Sequence, residues 1–448
     1  MSLESIPPEL IARILKDLQS ERATLCACSL SSSLFTHPSQ RLLYSSIRLR
    51  IRTIEGKLQE IHEIAVSSPH VLGYIESLRI DIEGRADRYR SEPSWQENPD
   101  TSVSHHSALL LGEFLPKLAR LKEFHLGAFP EDHPFFPILD TSFPLMQFTH
   151  LSIGSETGDA GPFPVHLLGR CPKVTSIRLS SSTELSGMGQ LGDLLPTSHP
   201  YQPLNLRERD LSIRPKVVSL TLGLLSLSFP FRGVPVDLLE RTEHQRNLLR
   251  NISRHDGVFD ASGLKCLLIQ GSSNPSWDLS LLEDSICRSL EKMDISLWNE
   301  APPGPHSREV LPLQNLTCLQ CHVTINNLPR SFGPPMANDG IQLMIGFLKN
   351  FPNPSALEFL DISFLIFGER ESHDWKKLSL GALESLLFSD EEKFKRLCKV
   401  GVTVAFHSPK CGEEEPSGEY FAQTCNTLRT GCLRRLAEKG ILEIIHDS

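Results

Sequence analysis

A short apolar pattern recurs along most of the chain and constrains its fold more than any other feature. In each copy, two residues separate the first and second apolar positions, and one residue separates the second from the third. Apolar residues at alternate positions are typical of a β-strand with one buried face. The ten copies are Ile75/Leu78/Ile80, Leu121/Phe124/Leu126, Phe148/Leu151/Ile153, Val174/Ile177/Leu179, Val217/Leu220/Leu222, Leu264/Leu267/Ile269, Leu290/Met293/Ile295, Leu316/Leu319/Cys321, Leu357/Leu360/Ile362 and Leu397/Val400/Val402.

The copies are separated by helix-like stretches, at a period that favours a repeat array. Neighbouring copies lie 26 or 27 residues apart in four cases and 40 to 47 residues apart in the others. One such unit cannot bury the apolar face of its strand alone, so stacked units must supply a shared core. The helix-like stretches are Ser107–Arg120, Val236–Arg250, Leu279–Lys292, Ile341–Phe351 and Ser379–Leu397.

This alternation of strand and helix resembles leucine-rich repeats, whose short parallel strands line a concave sheet. The resemblance implies an α/β fold in which residues 51–448 capture a protein target. The sequence departs from the family where Phe129, Ser272 and Trp298 stand in place of the usual Asn or Cys. Without that side chain the inner turn lacks its usual hydrogen-bond ladder, so we expect an irregular solenoid with a parallel sheet. The alternative is a mixed α/β domain with ordinary amphipathic strands.

The first fifty residues follow a different pattern, with apolar residues at helical spacing. Pro8 suits the first turn of a helix, and Glu9 meets the positive end of its dipole. Ser20 is the predicted cap of a second helix, and Pro38 is the predicted start of a third that runs through Tyr44. Three short helices make only a small core, so we expect some of their apolar side chains to need a partner.

The apolar positions of these helices also occur in a recognisable order. They are Ile6-Pro7-Pro8-Glu9-Leu10, Ile14-Leu15, Leu18, Leu25, Cys28-Ser29-Leu30 and Leu34-Phe35. The series resembles an F-box motif, the segment through which F-box proteins bind a Skp-type adaptor. It departs from the family pattern where Ile6 replaces the leading Leu and where Ser replaces the basic residue after the second helix. The alternative is an amphipathic helical cap packed on its own chain.

The resemblance implies that residues 1–50 form an F-box domain and residues 51–448 a target-binding region. The chain would then be the substrate-recognition subunit of a Skp–cullin–F-box ubiquitin ligase. It would not be an enzyme and would need no cofactor, because its contribution is to hold the target near a charged ubiquitin-conjugating enzyme. The residues expected to bind the adaptor are Ile6, Pro7, Pro8, Leu10, Ile11, Ile14, Leu15, Leu18, Leu25, Cys28 and Leu30.

Two other functions fit the same residues. In the first, the chain binds the adaptor as a scaffold and tethers a partner without causing its turnover. In the second, the chain is an enzyme whose site lies in the concavity of the repeats. Polar side chains that converge in one pocket there would favour the enzyme.

Composition and charge narrow the class of partner. The formal net charge is -9 and aromatic residues make up 7%, so the sequence does not favour nucleic acid binding. Residues 1–52 hold seven basic and four acidic side chains, or +3, which leaves -12 for the rest of the chain. That balance favours a basic or neutral target over an acidic one.

The same reading of the sequence predicts a cytoplasmic or nuclear protein. Eleven irregularly spaced cysteines fit reduced thiols. No secretory signal pattern is visible, and no apolar run reaches about 18 residues, so we expect no membrane association.

Two strings match chemical motifs but lack their context. The glycines of residues 187–192 match the dinucleotide fingerprint, yet they do not directly follow a strand, and Pro196 interrupts any helix after them. Cys318-Leu319-Gln320-Cys321-His322 matches a haem-attachment string but falls inside a predicted repeat strand. No second Cys or His pair lies at zinc-binding spacing, so we predict no metal site. Cys26 and Cys28 are likewise interpreted as helix core.

Overall fold

The fold is described from a computed structural model of the chain. The chain divides into two compact units, Met1–Lys216 and Val217–Ser448, and each is described by itself. The structure describes residues 6–50, 54–81, 109–127, 135–154, 161–179, 183–186, 214–223, 259–270, 282–297, 312–326, 337–367, 375, 379–407 and 418–447.

Unit 1 begins with three helices, α1 (Pro8–Asp17), α2 (Arg22–Ser31) and α3 (Ser33–Tyr44). The predicted caps of the second and third helices are wrong. Glu21, not Ser20, precedes α2, and the Ser32 hydroxyl caps α3 by accepting the Leu34 N–H at 3.3 Å. Pro38 therefore lies inside α3, where packing against α1 and α2 offsets the hydrogen bond that proline cannot donate.

The rest of unit 1 alternates strands with helices and short 3₁₀ turns. The elements are β1 (Ser46–Arg50), α4 (Ile54–Ser67), β2 (Ser77–Asp81), β3 (Glu123–Leu126), α5 (Phe135–Ser142), β4 (His150–Ile153), β5 (Gly161–Pro164), β6 (Ser176–Leu179) and β7 (Thr183–Ser186). Strands β1, β2, β3, β4 and β6 pair in parallel and in chain order. Strands β5 and β7 pair separately.

Unit 2 continues the same arrangement. Its elements are β8 (Ser219–Gly223), β9 (Cys266–Gln270), α6 (Asp284–Ser289), β10 (Lys292–Leu297), β11 (Cys318–Asn326), α7 (Ala337–Lys349), β12 (Phe359–Phe367), α8 (Leu380–Ser389), β13 (Lys399–His407), α9 (Gly418–Thr427), α10 (Arg434–Glu438) and β14 (Leu442–Asp447). Each strand after β8 pairs in parallel with the strand that precedes it in the chain.

The apolar pattern of the sequence accounts for the core of both units. Every residue of the ten copies is at most 9% exposed, and each copy supplies one of the strands β2, β3, β4, β6 and β8–β13. The α/β class and the parallel sheet are thus confirmed. Helices occur in four of the five predicted stretches, and the fifth, Val236–Arg250, lies outside the described residues, as do Phe129, Ser272 and Trp298.

A ladder of backbone hydrogen bonds joins successive repeats at the residues just before their strands. The Glu76 carbonyl accepts the N–H of Lys122 at 2.8 Å and of Glu123 at 3.0 Å, and the Lys122 carbonyl accepts those of Thr149 and His150 at 2.9 and 3.0 Å. The carbonyls of Ser45, Thr149, Val218, Lys265, Glu291, Thr317 and Glu358 accept two N–H groups in the same way. This ladder satisfies the backbone where each chain segment enters its sheet.

Candidate interaction surfaces

The three N-terminal helices bury a small apolar core of their own. Ile11 and Leu15 on α1 are each 2% exposed, and Leu25 on α2 is 1% exposed. The partly buried side chains packed against them are Ile6, Leu18, Cys28, Leu34, Phe35, Leu42 and Leu43. Since these groups cover one another, the helical core needs no outside protein to complete it.

Helix α1 also carries apolar side chains that the chain leaves in solvent. Leu10 is 50% exposed and Ile14 is 58% exposed, and Pro7 before them is exposed too. The spacing of four residues places Leu10 and Ile14 on one face of the helix, and Pro7 is the N-cap before it; we call these three residues the α1 stripe. Leu30, near the end of α2, is 88% exposed. Exposed side chains of this size are candidates for protein contact.

The eleven predicted adaptor-binding residues therefore separate into three groups. Five are exposed, three are half-buried and three are buried. In that order they are Pro7, Pro8, Leu10, Ile14 and Leu30; Ile6, Leu18 and Cys28; and Ile11, Leu15 and Leu25. The buried group serves the helical core, so a partner reaches it only if the helices separate.

Helix α3 connects the helical core to the first strands of unit 1. The carbonyl of Ser45 accepts the backbone N–H of Glu76 at 2.9 Å. The Arg41 guanidinium donates to the Glu76 carboxylate at 3.1 Å, and His37 Nδ1 lies 2.8 Å from the Tyr74 hydroxyl. These contacts fix α3 against the strand layer without involving the α1 stripe.

The open face of the unit 1 strands carries a row of basic residues. The strand register aligns Arg48, Arg79, His125, Ser152 and Arg178, one from each of five neighbouring strands, and we call them the unit 1 row. The sequence analysis missed this row. The sequence does carry a signal for the row, because in four copies the residue between the second and third apolar positions belongs to it.

Asp81 organises one end of this row. Its carboxylate lies 2.6 Å from Arg48 Nε, and it accepts hydrogen bonds from Arg79 Nε at 2.8 and 2.9 Å. His125 Nε2 lies 3.9 Å from the same carboxylate. One negative charge thus faces two guanidinium groups and an imidazole, so the positive charge is in excess there.

The open face of unit 2 is more mixed. His322 Nε2 lies 3.0 Å from Asp294 Oδ1, whose side chain is 13% exposed. Phe359 and Leu365 of β12 are 39% and 36% exposed, and Ile445 of β14 is 46% exposed. Apolar side chains among polar ones are typical of surfaces that bind proteins.

Asp361 on this face lies against Gly401 of the next strand. The two residues are register partners, and a Cβ at position 401 would overlap Asp361 Oδ1. The absence of a side chain at Gly401 therefore lets the carboxylate lie flat across the neighbouring strand.

The cysteine string of β11 does not form one site. Cys321 is fully buried, whereas Cys318 is half-buried on the other face of the strand, as expected for residues three apart. Burial raises the pKa of the Cys321 thiol well above its usual range, which disfavours a thiolate. Among the described residues, no three His, Cys, Asp or Glu side chains are grouped as metal ligands.

The remaining predictions concern Cys26 and Cys28, a glycine string and membrane spans. Cys26 is exposed and not part of the helix core, because it lies on the outer side of α2, while Cys28 is half-buried as predicted. The glycines of residues 187–192 lie outside the described residues. Within the described ranges, no helix combines the length and apolar character needed to cross a membrane.

Comparison with known proteins adds no relative. No protein-family model and no curated protein sequence matches the chain. Its function is therefore inferred from the surfaces of the two units together with the sequence resemblance of the first fifty residues.

Proposed function

We propose that this chain is the substrate-recognition subunit of a Skp–cullin–F-box type ubiquitin ligase. The observation that supports the proposal is the α1 stripe. Leu10 and Ile14 lie in solvent although the helices have a core of their own, and both belong to the segment that resembles an F-box. A Skp-type adaptor is the partner that this resemblance implies for such a surface.

The free energy of association requires a contact larger than the α1 stripe. Burying one fully exposed large apolar side chain yields about 1.5–3 kcal/mol, so burying the exposed 50%, 58% and 88% of Leu10, Ile14 and Leu30 yields roughly 3–6 kcal/mol. Association costs about 4–15 kcal/mol. These three side chains therefore offset only part of this cost, and we assign further contact area to Pro7, Pro8 and the half-buried residues at the rim.

The open faces of the strands are the proposed surface for the target. They present polar and apolar side chains on strands whose other face is locked into the core. A rigid layer of this kind binds without a large ordering cost. The chain then raises the effective concentration of its target near the ubiquitin-charged enzyme and performs no bond chemistry itself.

Charge reversal of the α1 stripe tests adaptor binding. The full chain carrying Leu10→Asp and Ile14→Asp is co-expressed with a Skp-type adaptor and isolated by an affinity tag. We expect the adaptor to be lost while the circular dichroism spectrum and thermal midpoint stay those of the wild type, because both positions are exposed. Buried Leu15 is unsuitable for this purpose, because a charge there would unfold the helices.

Val66 and Leu109 supply the matched control. They are 68% and 53% exposed on other helical segments of unit 1, so Val66→Asp with Leu109→Asp makes the same chemical change elsewhere. The control should retain the adaptor. Equal retention or equal loss in the two variants would rule out docking through the α1 stripe.

A scaffold that binds the adaptor without promoting turnover uses the same stripe. The two functions differ in the lifetime of the captured protein. If the chain is a ligase subunit, cells expressing the Leu10→Asp/Ile14→Asp variant should show a longer half-life for a protein that co-purifies with the chain. An unchanged half-life, with adaptor binding lost, would favour the scaffold.

A further inference from the structure

We propose that the unit 1 row binds an acidic segment of a partner protein, in extended conformation across the strands. The inference rests on the proposed function in assigning target capture to this face, and it adds the chemical class of the target. It differs from the expectation from overall charge, which favoured a basic or neutral target.

The spacing of the row suits an extended peptide. Neighbouring strands lie about 4.8 Å apart, so the four spacings from Arg48 to Arg178 cover about 19 Å. An extended chain advances about 3.3 Å per residue, so roughly six residues span the row. Glu or Asp side chains at alternate positions would then fall within reach of the arginines.

The charges of the row are suited to carboxylates. Three of its five members are arginines, one is a histidine and one is a serine, so the row itself holds no acid. Arg178 is exposed and makes no ion pair with any residue that the structure describes. Arg48 keeps 47% of its side-chain surface in solvent although its Nε faces Asp81.

Asp81 shows how a carboxylate sits on this face. Both of its oxygens accept from Arg79 Nε, and one lies against Arg48 Nε, so the fold already holds these guanidinium groups in fixed positions. A fixed guanidinium loses less entropy when it binds, which favours a bidentate carboxylate contact through its outer nitrogens.

Acids close to the row favour a peptide over nucleic acid. Asp81 lies beside Arg48 and Arg79, and exposed Glu123 precedes His125 by two positions on β3. A continuous phosphate backbone would be repelled by both carboxylates, whereas a peptide can place neutral residues next to them.

Fluorescence anisotropy of the full chain tests the assignment. The probe is a fluorescein-labelled peptide of about ten residues in which Glu and Gly alternate, called oligoglutamate below, and it is long enough to span the row. The variants are Arg178→Glu alone, which disturbs no ion pair with the described residues, and Arg48→Glu with Arg178→Glu. Lys117→Glu with Lys173→Glu is the matched control, because both lysines are exposed in unit 1 outside the row and the change in net charge is equal.

We expect the single change to weaken probe binding about threefold and the double change at least about tenfold, with less than about a twofold effect of the control. Equal weakening by the row and control variants would show that net charge alone accounts for the loss of binding, and this would overturn the proposal. So would an absence of binding by the wild type, or tighter binding of an oligothymidine than of oligoglutamate at about 0.15 M salt.

The adaptor assay keeps this test separate from the proposed function. The Arg48→Glu/Arg178→Glu variant should still co-purify with the Skp-type adaptor, because the α1 stripe is unchanged. Loss of oligoglutamate binding with the adaptor retained supports the row as a target surface. Failure of the wild type to bind oligoglutamate, with the adaptor retained, overturns the row and leaves adaptor docking standing.

Discussion

Lys122 Nζ lies 2.7 Å from Glu76 Oε2, and the two residues occupy equivalent positions immediately before strands β3 and β2. Their backbones are joined as well, since the Glu76 carbonyl accepts the Lys122 N–H. Arg41 of α3 donates to the other oxygen of the same carboxylate. Glu76 thus connects the N-terminal helices, the first full repeat unit and the second one.

The hydrogen bonds from Lys122 and Arg41 hold the pKa of Glu76 below its ordinary value of 4.5. A lowered pKa in the folded protein means that the carboxylate stabilises the fold above about pH 4.5 and loses this effect as the pH falls through the lowered pKa. Both cations are more than half exposed, so solvent screens the interaction and we expect Glu76→Gln to cost only about 0.5 kcal/mol at pH 7.

Urea unfolding at about pH 7 and about pH 3.5 measures this difference. The gap between wild type and Glu76→Gln should be present at the higher pH and smaller at the lower one, and about 1 M NaCl should shrink it. Exposed Glu60 on α4 provides the control, because Glu60→Gln should give no gap at either pH. A gap that widens on acidification would contradict the proposed linkage.

The repeat strands were predictable because their signal is a property of side chains. A copy such as Ile75/Leu78/Ile80 records which residues face the core, and parallel strands follow once the copies within each unit must share a core. The ladder at Glu76 and Lys122 was not predictable, because its donors and acceptors are backbone atoms that any residue supplies.

The sequence also could not predict which apolar residues of α1 are buried and which are exposed. Ile11 and Leu15 are spaced by one helical turn, and so are Leu10 and Ile14. The four residues form one broad apolar band, wider than the neighbouring helices cover. Only the packing of α3 against α1 decides which half of the band becomes core.

Alanine substitution of one residue from each half of the apolar band tests which half is core and which is surface. Leu15→Ala removes a side chain that is 2% exposed and should destabilise the three helices by about 2–4 kcal/mol. Ile14→Ala, at a position 58% exposed, should change stability by less than about 0.5 kcal/mol. Hydrogen exchange of the amides in α1–α3 reports the two values, and equal protection in both variants would refute the assignment of core and surface.

Ser39 is an unusual occupant of the interior of α3. Its side chain is fully buried, and its hydroxyl finds no hydrogen-bond partner among the described residues. A buried hydroxyl without a partner keeps the cost of its desolvation, and alanine has the higher helix propensity. We therefore expect Ser39→Ala to stabilise the protein by about 1 kcal/mol, seen as a higher urea midpoint.

Cys321 and Cys398 occupy different positions of the repeat pattern and should differ in reactivity. Cys321 is the third apolar residue of its copy and is fully buried, and the pKa of its thiol is raised by that burial. Cys398, just before β13, is exposed. The thiolate is the reacting species, so a buried thiol with a raised pKa reacts slowly with Ellman's reagent.

Cys398→Ala should consequently remove one rapidly reacting thiol from the native protein, whereas Cys321→Ala should leave the rapid amplitude unchanged. In denaturing urea each variant should show one thiol fewer than the wild type, which controls for expression and oxidation. A loss of rapid amplitude in Cys321→Ala would mean that the face of β11 packed into the core is open to solvent. The apolar copies would then no longer define the interior of unit 2.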